Sequence, residues 1–220
     1  MWRAWDGKSR SSLGDLPEMR ENSGTGAKEE MKTVDELVAF SATVEGQGIE
    51  DHQNCTCTKP ELRLLANRLV ELPKGARVVE IGVFSGRSAS LYFQLQFDLD
   101  LDIHLVDNWS WNNTYATAMF DKLVIENFND TPWTLHKMNS DYLGKLWQAP
   151  IDFLYIDGWH DMPGILNDCI LWLPWLRSGG VAAFHDSDCP PVAECIQKYV
   201  KAPGWTLLES AYRMTTWRKP

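Results

Sequence analysis

From Arg77 onward the chain alternates short apolar, often β-branched runs with stretches of helical periodicity, and that alternation confines it to very few folds. Strands separated by helices pair in parallel. Predicted strands cover residues 77–83, 102–107, 133–138, 151–157, 180–186, 205–209 and 212–218, with helices over 87–97, 115–128, 142–147, 163–173 and 191–200. Only Ser210 and Ala211 separate the last two strands, which predicts a hairpin and so one strand antiparallel to its neighbours. The expected fold is α/β, a doubly wound, mostly parallel seven-stranded sheet with an antiparallel C-terminal strand.

Upstream the pattern is weaker. Residues 9–32 are rich in Ser, Gly, Glu and Lys and read as a tail that cannot offset the entropy of ordering. A short helix is expected over 33–40 and a polar connector over 41–58. After Pro60, Leu62, Leu65 and Leu69 recur at helical spacing opposite Arg63, Asn67, Arg68 and Glu71. The organisation is therefore an N-terminal tail and connector over 1–59, partly disordered, followed by one domain over 60–220. With 220 residues, 44% hydrophobic, the chain suffices for one substantial core. A net charge of -9 disfavours nucleic acid and anionic membrane surfaces as partners. No apolar leader and no run of about 20 apolar residues is visible, so the cytoplasm is the expected compartment. The five cysteines read as reduced thiols, with Cys55 and Cys57 in a loop.

In open α/β sheets ligands bind outside the carboxyl ends of the strands. Here Val78-Val79-Glu80-Ile81-Gly82, Ile103-His104-Leu105-Val106-Asp107, Phe153-Leu154-Tyr155-Ile156-Asp157 and Ala182-Ala183-Phe184-His185-Asp186 each carry an acid to that rim. The first turn, Gly82-Val83-Phe84-Ser85-Gly86-Arg87-Ser88, lets the backbone approach a ligand. Its spacing is not that of a dinucleotide site, and Glu80 just before it suits a ligand presenting an amino group. Asp107 either accepts both hydroxyls of a ribose or caps the segment that follows it. Ser140-Asp141 either borders an adenine or caps a helix. Neighbouring strands lie about 4.8 Å apart, so Asp157 and Asp186 either grip one hard divalent cation such as Mg²⁺ or serve as capping or ion-paired acids.

These motifs resemble class I S-adenosylmethionine-dependent methyltransferases with a Rossmann-like sheet, particularly the macrocin O-methyltransferase-like family and, more distantly, catechol O-methyltransferase. The resemblance spans residues 62–218. It implies that Gly82 and Ser88 hold the methionine part of S-adenosylmethionine, with Asp107 on the ribose and Ser140-Asp141 beside the adenine. In Asp157-Gly158-Trp159-His160, it implies a Mg²⁺ ligand, an aromatic residue on the adenine and a general base. Imidazole suits the last role because its ordinary pKa is about 6.5. The family usually has Asp or Asn beside the second metal acid, whereas this chain has His185 before Asp186 and Ser187 after it. Ser187 and Asp188 are both candidates for the third ligand.

The implied reaction is Mg²⁺-assisted methylation of a hydroxylated small molecule, in a chain capable of homo-oligomerising. Two other readings compete. A non-heme iron oxygenase could draw on His160, His185, Asp157 and Asp186, but His185 and Asp186 would face opposite ways on a regular strand. A cofactor-binding module without catalysis would keep the same fold. His104 and His136 read as packing or surface residues.

Overall fold

The apolar runs at 78–81, 153–156 and 181–184 become central strands buried on both faces, as a parallel sheet between two helix layers requires. A computed structural model describes residues 31–44, 57–110 and 113–220. Seven strands form one sheet: β1 (Arg77–Ile81), β2 (Asp102–Val106), β3 (Thr134–His136), β4 (Ile151–Ile156), β5 (Leu176–Phe184), β6 (Thr206–Ala211) and β7 (Met214–Arg218). Their order is β3-β2-β1-β4-β5-β7-β6. The first five run parallel, and β7 inserts antiparallel between β5 and β6. The doubly wound, Rossmann-like sheet is thus as expected, with its switch point between β1 and β4.

Alternation along β1 and β4 divides the interior into two layers. Val78, Phe153 and Ala183 face one core with α2 (Lys59–Leu69), α3 (Ala89–Leu99) and α4 (Asn113–Asn127). Val79, Leu154 and Ala182 face the other, with α6 (Gly164–Trp172) and α7 (Pro190–Ile196). α5 (Ser140–Leu146) follows β3. Each fully buried Leu, Ile or Val contributes about 1.5–3 kcal/mol relative to exposure, so the helices are held chiefly by their apolar faces.

One further helix joins the first core. α1 (Val34–Ser41) starts at Thr33, whose hydroxyl accepts from Glu36 N while the Glu36 carboxylate accepts from Thr33 N at 2.8 Å. Leu37 and Val38 are buried, Ser90 Oγ lies 2.6 Å from Ser41 Oγ, and Arg87 donates to Ala42 O at 3.1 Å. The compact unit accordingly runs from Met31 to Pro220. The tail expected over 9–32 lies outside the described residues up to residue 30, as do Cys55 and most of the connector.

The C-terminal hairpin differs from the sequence expectation. Ala211 pairs with Met214, so the turn is Tyr212-Arg213 rather than Ser210-Ala211. Burial decides the register: Met214 and Trp217 must both enter the interior, and Ser and Ala are small enough to sit within a strand. β5 likewise ends at Phe184, two residues before the predicted Asp186. Among the described residues no helix is long and apolar enough to cross a membrane.

Candidate active site

Strands β1, β2, β4 and β5 end on one edge, where a cavity of about 820 Å³ lies among the turns that follow them. The turn after β1 forms its floor. Gly82 has φ +87°, and a Cβ there would stand 2.1 Å from the Asp157 carbonyl oxygen, so only glycine lets the β1 and β4 ends meet. Ser88 Oγ donates to Glu80, which is wholly buried; burial raises the Glu80 carboxyl well above the usual range despite that bond. Among the described residues, the buried Glu80 Oε2 and Ser85 Oγ have no hydrogen-bond partner of good geometry.

Asp107, just beyond β2, locks this turn from the side. Its Oδ2 accepts from Val83 N at 2.8 Å and Phe84 N at 2.9 Å, and its Oδ1 accepts from Trp109 N at 2.6 Å. Trp109 in turn donates from Nε1 to Phe84 O at 2.9 Å. Opposite lies the start of α5. Ser140 Oγ donates to Asp168 Oδ1 at 2.6 Å, and Trp172 Nε1 donates to Ser140 O at 3.2 Å. Burial raises the Asp168 carboxyl to about 7, against the Ser140 hydrogen bond. Asp141, Trp159, Asn167 and Asp168 line the cavity beside Ser140.

The far end of the cavity holds a cluster of charge. Asp157 Oδ1 and Asp186 Oδ2 each lie 3.2 Å from His185 Nδ1. His185 Nε2 lies 3.5 Å from Glu61 Oε1, which also accepts from Arg213 N at 3.0 Å. The outward oxygens are held separately: Tyr155 OH donates to Asp157 Oδ2 at 2.8 Å, and Arg213 Nη2 approaches Asp186 Oδ1 at 2.8 Å. Cys57 Sγ lies 3.1 Å from Tyr155 OH, and burial pushes its thiol up to about 12. Burial opposes charge on His185, yet Asp157, Asp186 and Glu61 together hold its pKa well above the imidazole value. Asp186 stays below the usual carboxylate range: burial opposes its charge, but His185, Arg213 and His160 outweigh it. His160, exposed, brings Nδ1 to 3.6 Å from Asp186 Oδ2.

The structure therefore gathers Gly82, Phe84, Ser85, Ser88, Asp107, Ser140, Asp141, Asp157, Trp159, His160 and Asp186 around one cavity. Gly86, at φ +82°, packs instead toward Phe120, and Glu80 lies behind the turn. Ser187 stands apart, because its hydroxyl and its N–H both donate to Arg213 O, at 3.0 and 2.8 Å. Asp188 accepts from Arg213 Nε at 2.9 Å. The strand argument separating His185 from Asp186 is overturned: β5 has ended, and Asp186 at φ +50° turns its carboxylate back toward the imidazole. His104 and His136 pair at 3.0 Å against Trp147, away from the cavity.

Four residues of the site carried no expectation from sequence. Asp168 shows one signal, an acid on the apolar stripe of Ile165, Cys169 and Trp172. Glu61 reads locally as a helix-start residue, accepting from Thr58 N and Oγ1 at 2.8 Å each. Tyr155 is hidden in an apolar run, and Arg213 depends on where the hairpin turns.

Residues 79–187 match the family model of a methyltransferase domain. That match supports methyl transfer as the class of activity. Solved structures share the fold: the O-methyltransferase NovP has a TM-score of 0.61 at 14% identity, over 84% of this chain and 97% of that one. A second is the methyltransferase PaMTH1 of Podospora anserina, solved with SAH bound, with a TM-score of 0.57 at 15% identity over 85% and 87% of the two chains. Among curated proteins, the chain is 25% identical over 127 residues to the uncharacterized protein y4gI of Sinorhizobium fredii. That alignment takes in 54% of this chain and 14% of the relative, so the chain spans only a small part of its length.

Proposed function

We propose that the chain moves a methyl group from S-adenosylmethionine to a hydroxyl of a small molecule, with a divalent cation and a histidine base assisting. One observation carries this reading: a single cavity is bordered by the glycine turn and Asp107 at one end and by Asp157, His160 and Asp186 at the other. The likeness to an O-methyltransferase fold and to an SAH-bound methyltransferase supports it, and so does the motif resemblance to macrocin O-methyltransferase-like enzymes. The net charge of -9 favours a small acceptor over nucleic acid.

Bound S-adenosylmethionine supplies an electrophilic methyl group on a sulfonium. The turn at Gly82 admits its methionine end closely, where the Ser85 hydroxyl can meet the polar groups of the amino acid while Glu80 behind the turn holds Ser88. Asp107 retains acceptor capacity beyond its three main-chain partners for a ribose hydroxyl. Trp159 offers an exposed indole face for the adenine, with Ser140, Asp141 and Asp168 at its edge. His160 takes the acceptor's hydroxyl proton as the oxygen attacks the methyl carbon, and Asp186 beside it steadies the charge that results. Asp157 and Asp186 would hold a divalent cation, which would supply Lewis acidity to that hydroxyl. The carboxylates fit such an ion, since one oxygen of each lies 3.2 Å from the same buried atom, His185 Nδ1.

The test is to incubate the protein with S-adenosylmethionine and pooled hydroxylated metabolites, with and without a chelator, and search for methylated products by mass spectrometry. Products that vanish with the chelator are expected. Failure to bind SAH in calorimetry would sink the reading.

A further inference from the structure

The charge cluster separates into inner and outer atoms. Asp157 Oδ1, His185 Nδ1 and Asp186 Oδ2 face one another, all within 4.8 Å, with the nitrogen 3.2 Å from each oxygen. Ligands about 2.1–2.2 Å from one cation lie about 3 Å apart in neighbouring positions, so the two nitrogen–oxygen spacings of 3.2 Å are those of neighbours in one coordination shell. Nδ1 faces both oxygens at once, and the His185 side chain is only 3% exposed. A buried nitrogen shared between two carboxylates, each held from behind, is also the arrangement of three groups around one ligand.

The outer atoms support the same conclusion. Tyr155 holds Asp157 Oδ2, Arg213 holds Asp186 Oδ1, and Glu61 faces His185 Nε2. Each inner group is thus oriented through its far atom, and a carboxylate behind an imidazole is the usual support for a metal-bound histidine.

Resting on the reading of Asp157 and Asp186 as cation ligands, we infer that His185 Nδ1 completes the set. The resulting site prefers a borderline divalent metal to Mg²⁺. Two carboxylates with one imidazole suit ions that accept nitrogen, whereas Mg²⁺ favours oxygen alone. Glu61 is a positioning residue, fixing the ring through Nε2. Mn²⁺ is the demanding probe, since it is the least avid of the first-row series.

The experiment takes the full chain, strips it with a chelator and titrates it separately with Mn²⁺ and Mg²⁺, measuring SAH binding in parallel. Mn²⁺ is expected to bind at least about tenfold more tightly, and pulsed electron paramagnetic resonance of the Mn²⁺ form should show coupling to one imidazole nitrogen. Labelling with ¹⁵N-histidine should convert that signal without any mutation. H160Q should retain it and H185D should lose it, with metal preference moving toward Mg²⁺. E61Q, which keeps a helix-start acceptor, should weaken Mn²⁺ about 10–100-fold. Mn²⁺ bound without nitrogen coupling, or equal affinity for the two ions, overturns the assignment. SAH binding with no metal binding overturns it too, and makes the His185 imidazolium the cation of the cluster. Loss of both SAH and metal binding refutes the underlying methyltransferase reading instead.

Discussion

Asp107 and Asp157 both close a strand of one sheet, yet their charges are met in contrasting ways. Asp107 is surrounded by main chain, taking the N–H groups of Val83, Phe84 and Trp109. Asp157 is met by side chains, Tyr155 from its own strand and His185 from the end of β5, with Glu61 and Arg213 behind them. The end of the cavity at Asp107 is therefore fixed through main chain where β1 and β2 end. The charged end exists only once α2, β4, β5 and the C-terminal hairpin have met. Main-chain donors cannot be removed by substitution, so the first end should fail through backbone geometry and the second through individual side chains.

Substitutions can break this contrast, in descending order of effect on folding. Gly82→Ala should be the most damaging, because the new Cβ meets main chain at 2.1 Å and the φ of +87° is unsuited to alanine. A loss of about 3–5 kcal/mol is expected in denaturant titration, with SAH binding abolished. Asp107→Ala should cost about 2–3 kcal/mol by leaving three N–H groups without their charged acceptor, and weaken SAH about a hundredfold in calorimetry. If it leaves SAH affinity unchanged, the ribose role is wrong.

Asp168 sharpens the comparison through pH. Its folded-state pKa is raised to about 7 by burial, whereas an unfolded aspartate titrates at about 3.9. Between those values the folded chain keeps a proton that the unfolded chain has lost, so this group's contribution is fully present below pH 4 and declines as pH rises through about 7. Asp168→Asn should flatten that decline and gain about 1–3 kcal/mol at pH 8 relative to pH 5, read from thermal unfolding at both. A wild-type Tm that does not fall across this window counts against it. His160→Gln should change stability least, within about 0.5 kcal/mol, since the ring is exposed. Turnover should nevertheless drop at least about a hundredfold, and unchanged turnover would remove His160 as the base.

What could be read from sequence follows the same division. The strands announce themselves because parallel sheets bury continuous apolar runs, and the acids that close them mark the rim. The turn from Gly82 to Ser88 is legible because its geometry is local. Glu61 and Arg213 are 152 positions apart and meet only through the register of β7, which burial of Met214 and Trp217 sets. Expecting the turn at Ser210-Ala211 therefore also hid the arginine. Extending β5 to Asp186 as a regular strand similarly hid His185, since a single left-handed residue redirects the carboxylate.

Glu61 serves two masters. One of its oxygens receives the N–H and hydroxyl of Thr58 at the start of α2, and the other faces Arg213 and the ring of His185. Starting that helix and aligning that ring are consequently a single event, so the register of α2 reaches the charged cluster directly. An inserted residue between Thr58 and Leu62 would rotate the first turn of α2 and take the carboxylate away from both partners at the same stroke.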